Sequence, residues 1–243
     1  GAASRTFSVS PALPAGLTMN ASTGQITGTP TVASAATTYT VTITDAGGAV
    51  AQTRTFSLTV SDVLTATTNA PAARIFNASG STITFTPVSA SGGTAPYTFA
   101  LTGEFPGTLA LNTSTGVVSG IVATPTNTTV SYTVVVTDAL GEQAQASFTL
   151  RINPTLTVAA NTTVIQLTEG QTLATTTVAT ASGGSPAIVA SPLTSLFGLT
   201  RSFNSGTGQY QLSGTATSNN NGVAQTQTAS FTDAISTPAV TSN

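Results

Sequence analysis

The sequence predicts an all-β protein built from serial sandwich modules, and three observations predict it. The first is composition: Thr, Ser, Ala, Val and Gly dominate, while charged residues make up 5% of the chain. Strong helix formers such as Glu, Lys, Gln and Arg are scarce, and β-branched side chains suit a pleated sheet. The second is an internal repeat. LPAGLTMNASTGQITGTPT (13–31), FPGTLALNTSTGVVSGIVATPT (105–126) and LFGLTRSFNSGTGQYQLSGTAT (196–217) align, and their turn glycines Gly24, Gly116 and Gly208 are 92 residues apart in both steps. The third is a period of two. Tyr39, Val41 and Ile43 alternate with Thr, as do Phe56, Leu58 and Val60, and Tyr132, Val134, Val136 and Phe148, Leu150, Ile152 repeat the pattern downstream. Such alternation buries one face of a strand and leaves a threonine-rich face wet.

In chain order, RTFSVS (5–10) opens as a strand. NASTG (20–24) then turns LTM back onto QIT, with Asn20 bonding its own backbone and Gly24 supplying a positive φ. NTSTG (112–116) and NSGTG (204–208) repeat the device. After each turn comes a strand closed by Thr-Asp-Ala, which places Asp45, Asp138 and Asp233 at equivalent positions. TFSLTV (55–60) and SFTLRI (147–152) end the first two repeats, and no counterpart of them is legible after Asp233. ASGGTAPYTFAL (90–101) and ASGGSPAIVA (181–190) match each other, whereas the first repeat shows only the end of that block, with Phe7 matching Phe99. The expected modules are therefore 1–61, lacking its first strands, 62–153, complete, and 154–243, lacking its last strand. Short joints, one containing Pro154, predict a semi-rigid rod. The open ends have two explanations, a piece of a longer array or subunits that donate the missing strands to each other. About seven strands per repeat, with frequent turns and no helical periodicity, describe an Ig-like sandwich.

LPAGLTMNASTGQITGTPT, followed by YTVTITDAGGA and a closing TFSLTV, resembles the Ig-like repeat related to cadherin-like, dystroglycan-type modules that occur in tandem in large bacterial surface proteins. The likeness is strongest in the first repeat and degraded in the third, where RSFNSGTG replaces ALNTSTG. The resemblance implies a stalk or adhesin module and transfers no binding site.

Chemistry finds few carriers. The chain has no His, Cys, Lys or Trp, so the usual general base, thiol nucleophile, Schiff-base amine and imidazole ligand are missing, and no enzyme is expected. Its carboxylates are Asp45, Asp62, Glu104, Asp138, Glu142, Glu169 and Asp233, too dispersed to suggest a glycosidase pair. The Thr-Asp-Ala aspartates have two readings. Each caps the turn after its strand, or Asp45 and Asp138, with Asp62 near the first joint, ligate calcium. Calcium takes about six to eight oxygens, and the joint at Asn153 and Pro154 has no acid nearby, which disfavours a cadherin-type linker. No other cofactor is expected. Sugar binding would want an exposed aromatic platform; Tyr39 and Tyr132 fall on core positions, leaving Tyr97 and Tyr210. Sequons at Asn20, Asn77, Asn112, Asn127 and Asn161 arise readily in a chain so rich in Ser and Thr.

Five arginines against seven acids leave a net charge of −2, without the basic patch that nucleic acid or an anionic membrane surface demands. No apolar run approaches the roughly 20 residues of a spanning helix and no signal peptide opens the chain, so a mature or excised segment is expected. The low charge and threonine-rich surface fit an extracellular, cell-surface or virion-surface setting. Expected partners are neighbouring Ig-like modules or identical subunits, together with a host or cell-surface ligand. Three functions follow: a structural or adhesive stalk segment, a self-assembling subunit of a filament, sheath or phage tail appendage, and a calcium-dependent or glycan-binding adhesin module.

Overall fold

The computed structural model describes residues 5–161, 164–185, 187–191, 196–217, 225–235 and 240–242. Among the described residues every regular element is a strand. The first repeat supplies β1 (Arg5–Ser10), β2 (Leu17–Met19), β3 (Ile26–Gly28), β4 (Ser34–Asp45) and β5 (Val50–Val60). They form an antiparallel sheet of order β1-β4-β5 and a β2-β3 hairpin. Register sets Phe7 opposite Ile43, Val9 opposite Val41 and Tyr39 opposite Phe56. The last pair stacks with ring centroids 5.4 Å apart, and Tyr39 is buried.

The second repeat supplies β6 (Thr65–Thr68), β7 (Ala73–Asn77), β8 (Thr82–Phe85), β9 (Val88–Ser91), β10 (Thr98–Thr102), β11 (Ala110–Leu111), β12 (Val118–Ile121), β13 (Val130–Thr137) and β14 (Gln143–Asn153). Its sheets run β10-β13-β14-β7 and β11-β12-β8, with β6 and β9 as a separate pair. β7 lies parallel to β14, and the ladder of β8 on β12 is antiparallel. Alternation decides the core: Phe148, Leu150 and Ile152 are all but fully buried, as are Val134 and Val136 on β13. Phe148 is ringed by Tyr132, Phe85 and Phe105 at centroid distances of 5.8, 5.9 and 6.2 Å. Complete burial of one such side chain is worth about 1.5–3 kcal/mol, so this alternating set holds the two sheets together.

The third repeat supplies β15 (Thr157–Ala160), β16 (Thr172–Ser182), β17 (Val189–Ser191), β18 (Thr200–Asn204), β19 (Gln209–Thr215), β20 (Ala229–Thr232) and β21 (Val240–Ser242). Its sheets run β15-β16-β19-β18 and β17-β20-β21. Phe231 is the centre of the core, with Phe203 and Tyr210 edge-on to it at 5.8 and 5.9 Å among small alanines at 179, 181, 190 and 229. The sequence shows no closing strand after Asp233. The structure differs there, because β21 pairs antiparallel with β20 over Ala229↔Ser242 to Phe231↔Val240.

By contact, the chain divides into two compact units. One holds Gly1–Thr67 with Ala90–Thr98 and Val136–Gln145, and the other holds Thr68–Ser89, Phe99–Val135 and Ala146–Asn243.

Candidate functional site

The feature that recurs with the most chemistry is a clamp of one aspartate and two glycines closing on the segment that enters a repeat. In the first unit the clamp begins with the loop Ser91-Gly92-Gly93-Thr94. Gly92 and Gly93 have φ of 71° and 59°, a left-handed conformation that only glycine adopts cheaply. That curl aims the Gly93 N–H at the carbonyl of Asp62, 2.6 Å away, and the Thr94 N–H at Asp138 Oδ2, 2.8 Å away. The other oxygen, Oδ1, accepts the N–H groups of Leu140 and Glu142 at 2.8 and 3.0 Å. Side chains complete the grip: Ser61 Oγ meets Thr94 Oγ1 at 2.9 Å, and Thr65 Oγ1 meets Ser91 Oγ at 2.7 Å. Leu64 is buried beneath Gly93, whose missing Cβ would stand 2.8 Å from Asp138 Oδ2 and 3.1 Å from Leu64.

The second unit builds the same clamp one repeat later. Gly183 and Gly184 have φ of 76° and 69°, and Gly184 N–H donates to the Pro154 carbonyl at 2.7 Å. Ser185 N–H donates to Asp233 Oδ2 at 2.5 Å, while Ile235 N–H donates to Oδ1 at 2.9 Å. Thr157 Oγ1 meets Ser182 Oγ at 2.9 Å, and Leu156 is buried where Leu64 is. Asp233 has a further partner, Asn77 Nδ2 at 3.0 Å, from the end of β7. Ala78 N–H donates to the Asn153 carbonyl at 2.8 Å and Thr155 Oγ1 bonds the Ala78 carbonyl, so the entering segment is also tied to the repeat before it.

Charge-assisted bonds to backbone N–H groups stabilise the ionised carboxylate. The Thr94 N–H holds the Asp138 pKa below its ordinary value, helped by Glu142, Leu140 and Gly141, against an opposing push from desolvation. Burial raises the pKa of Tyr132. Burial also raises that of Tyr210, with nearby Arg201 pulling the other way.

The sequence-derived candidates fall as follows. Asp45 accepts Gly47 and Ala49 N–H on Oδ1 at 2.9 and 3.0 Å, the turn geometry of Asp138. Asp62 contributes its backbone carbonyl, its side chain being exposed. Asp138 has both oxygens engaged by the backbone. Among the described residues, no three acids or other metal-ligating side chains cluster. Tyr210 is buried and directed at Phe231, so it is no sugar platform; its strand places it on the core face. Tyr97 donates to the Gly92 carbonyl at 2.6 Å and so buttresses the clamp loop. Asn77 is buried and bonded to Asp233, unlike the exposed sequons Asn20 and Asn112, whose Oδ1 atoms cap their own turns at 2.9–3.1 Å. Sequence reasoning missed the role of Gly92, Gly93, Gly183 and Gly184. The signal was the matched Ser-Gly-Gly pair, but its partner, the Thr-Asp-Ala aspartate, is 44 residues away in the case of Thr94 and Asp138.

Residues 1–61 and 65–153 match the sequence profile of the family described as "Putative Ig domain". The chain belongs to that family. Its Ig domains stand in tandem, and the all-β fold agrees with solved structures. A three-Ig titin fragment, in an E-to-A mutated variant, is similar with a TM-score of 0.56 at 12% identity, over 99% of this chain and 86% of that one. An I-band fragment of titin is similar with a TM-score of 0.52 at 11% identity, over 96% of this chain and 84% of that one. At such identities the likeness is one of fold alone. No curated protein matches the chain. Among the described residues, no helix is long and apolar enough to cross a membrane.

Proposed function

We propose that the chain is a segment of an extracellular structural or adhesive stalk, with Ig-like modules at 1–61, 62–153 and 154–243 that space or anchor a surface structure. One observation carries this reading: the same clamp seizes Asp62-Val63-Leu64 and Pro154-Thr155-Leu156, fixing the segment entering each repeat by backbone hydrogen bonds and a buried leucine. A joint so held transmits force and sets direction, which is what a spacer requires and a freely hinged linker does not supply. The rest of the chain supports a non-catalytic role, since its side-chain repertoire omits His, Cys and Lys. The partners of such a segment are further Ig-like modules along its axis and a host or cell-surface ligand at its far end. The surface of a cell or virion is the setting in which a nearly uncharged, threonine-rich array of this kind serves.

Electron microscopy and small-angle scattering of the natural polypeptide test the proposal. An unbranched particle whose length grows in proportion to the number of repeats supports a stalk, and antibody labelling of intact cells or virions then places it. A compact particle whose dimensions do not grow with repeat number overturns it.

A further inference from the structure

Asn-x-Ser/Thr sequons stand at Asn20, Asn77, Asn112, Asn127 and Asn161, and the fold treats them differently. Sugar transfer to such an asparagine needs a side chain within an enzyme's reach and an amide nitrogen whose lone pair is not drawn into its carbonyl. Hydrogen bonds donated to Oδ1 draw it in, because they favour the resonance form with C–N double-bond character. Asn77 fails on access, being buried with its Nδ2 committed to Asp233 at 3.0 Å. Asn20 and Asn112 are exposed but fail on the amide. Asn20 Oδ1 accepts the Ser22 and Thr23 N–H groups at 2.9 and 3.1 Å, and Asn112 Oδ1 accepts those of Ser114 and Thr115 at 2.9 and 3.0 Å. Asn161 Oδ1 accepts the Thr180 hydroxyl at 2.8 Å, and positions 162 and 163 of its sequon lie outside the described residues.

Asn127 meets both conditions. It is exposed, as are Thr128 and Thr129, and its side-chain amide has no hydrogen-bond partner among the described residues. Its φ of 58° is a left-handed value that asparagine adopts more readily than most side chains. The loop that carries it is nevertheless pinned. Thr126 and Asn127 donate their N–H groups to the Ile152 carbonyl at 2.9 and 3.3 Å, and the Ile152 N–H donates to Thr126 Oγ1 at 3.0 Å. Thr126 Oγ1 in turn donates to the Thr128 carbonyl at 2.8 Å. These bonds fix the backbone beside the end of β14 and leave two groups outward: the Asn127 amide, and the Thr129 hydroxyl at the position where a sequon requires one. No proline stands at 128 or 130 to obstruct the motif.

We infer that Asn127 is an N-glycosylation site and that the fold selects it over Asn20, Asn77 and Asn112. The substrate class is a sugar activated at its anomeric carbon by a diphosphate leaving group, carried on a nucleotide or on a polyprenyl lipid. The Nδ2–C1 bond forms as the C1–O bond to the diphosphate breaks. The diphosphate leaves with the electron pair, and one Nδ2 proton passes to a base of the transferase. The glycan stands beside Ile152, next to the Asn153-Pro154 segment that leads into the third repeat, where a bulky hydrophilic group keeps that end of the sheet from associating with another. The inference does not depend on the stalk reading, because such a glycan serves a spacer and a polymer subunit equally.

Two measurements test it. The natural polypeptide is digested and its glycopeptides mapped by mass spectrometry; a sugar on Asn127 is expected, a single hexose or short chain indicating the nucleotide donor and a preassembled oligosaccharide the lipid donor. The whole folded 243-residue chain is also incubated with UDP-glucose and a purified soluble N-glycosyltransferase. Asn127 should be labelled about tenfold faster than Asn20 or Asn112, the scale set by breaking one or two hydrogen bonds, while short peptides carrying the three sequons are labelled at similar rates. Thr129→Ala should abolish labelling at Asn127 and Thr129→Ser should retain it, with slow amide exchange at Ile152 reporting that the loop is intact. A natural polypeptide bare at Asn127 overturns the proposal, whatever the enzyme does in vitro. So does equal labelling of the exposed sequons in the folded chain, or a preference for Asn127 that the peptides already show.

Discussion

At the scale of single residues, the clamp rests on atoms that a small change removes. Asp138 is held ionised by backbone N–H groups, so its folded pKa lies below the unfolded value of about 3.9. A carboxylate depressed in this way stabilises the fold fully above its unfolded pKa, and the contribution is lost as pH falls through the folded pKa. Denaturant unfolding from about pH 7 down to about pH 2 should therefore show the stability difference between the natural chain and Asp138→Asn shrinking in acid; a constant difference would show that the charge is irrelevant. Gly93 offers a second comparison. Its φ of 59° and the crowding of Asp138 Oδ2 and Leu64 at 2.8 and 3.1 Å add sterics to strain, while Gly141 has a φ of 88° with nothing within 4 Å of its would-be Cβ. Left-handed backbone alone costs a non-glycine residue about 1–2 kcal/mol. Gly141→Ala should fall near that figure and Gly93→Ala should exceed it in urea titrations. Equal losses would mean that the close approach does not matter.

Elements act through how completely they are covered. Leu58 and Leu150 occupy equivalent places on β5 and β14, yet Leu150 is fully buried and Leu58 is not. Cutting a buried leucine back to alanine costs about 2–5 kcal/mol, part of it for the cavity left behind. Leu150→Ala should thus destabilise its repeat by that amount, whereas Leu58→Ala should cost less, as read by thermal unfolding of the two variants. A larger loss at Leu58 would imply that β5 is covered in solution. The turn that joins β2 to β3 is indifferent to this deficit, because Asn20 Oδ1 and a Gly24 φ of 74° settle it locally, just as Asn112 and Gly116 do for β11 and β12.

For the whole molecule, stability should be graded along the chain rather than uniform, since units with separate cores need not unfold together. Amide exchange is expected to be slowest along β13 and β14, whose apolar residues are the most deeply buried, and faster along β4 and β5. Uniform exchange in both would contradict the burial difference. Calcium should change little: Asp138 spends both oxygens on backbone donors, and the described residues hold no acidic cluster, so millimolar calcium is expected to leave the melting temperature in place. A clear upward shift would return Asp45, Asp62 and Asp138 to consideration as ligands.

Much of this was legible in the residues themselves. The period of two along Tyr132, Val134 and Val136, the three Asn-to-Gly turns and the 92-residue spacing specify strands, hairpins and repetition, because each depends on neighbours a few positions apart. The all-β tandem Ig fold follows from them. Tertiary structure alone decided what Asp138 and Asp233 hold, since Thr94 is 44 residues from one and Asn77 is 156 residues from the other. It also decided that Phe56 and Phe148, alike in sequence, differ in burial. Local pattern states which face of a strand is apolar; whether anything covers that face is set by chain segments far away, and no periodicity within the strand records them.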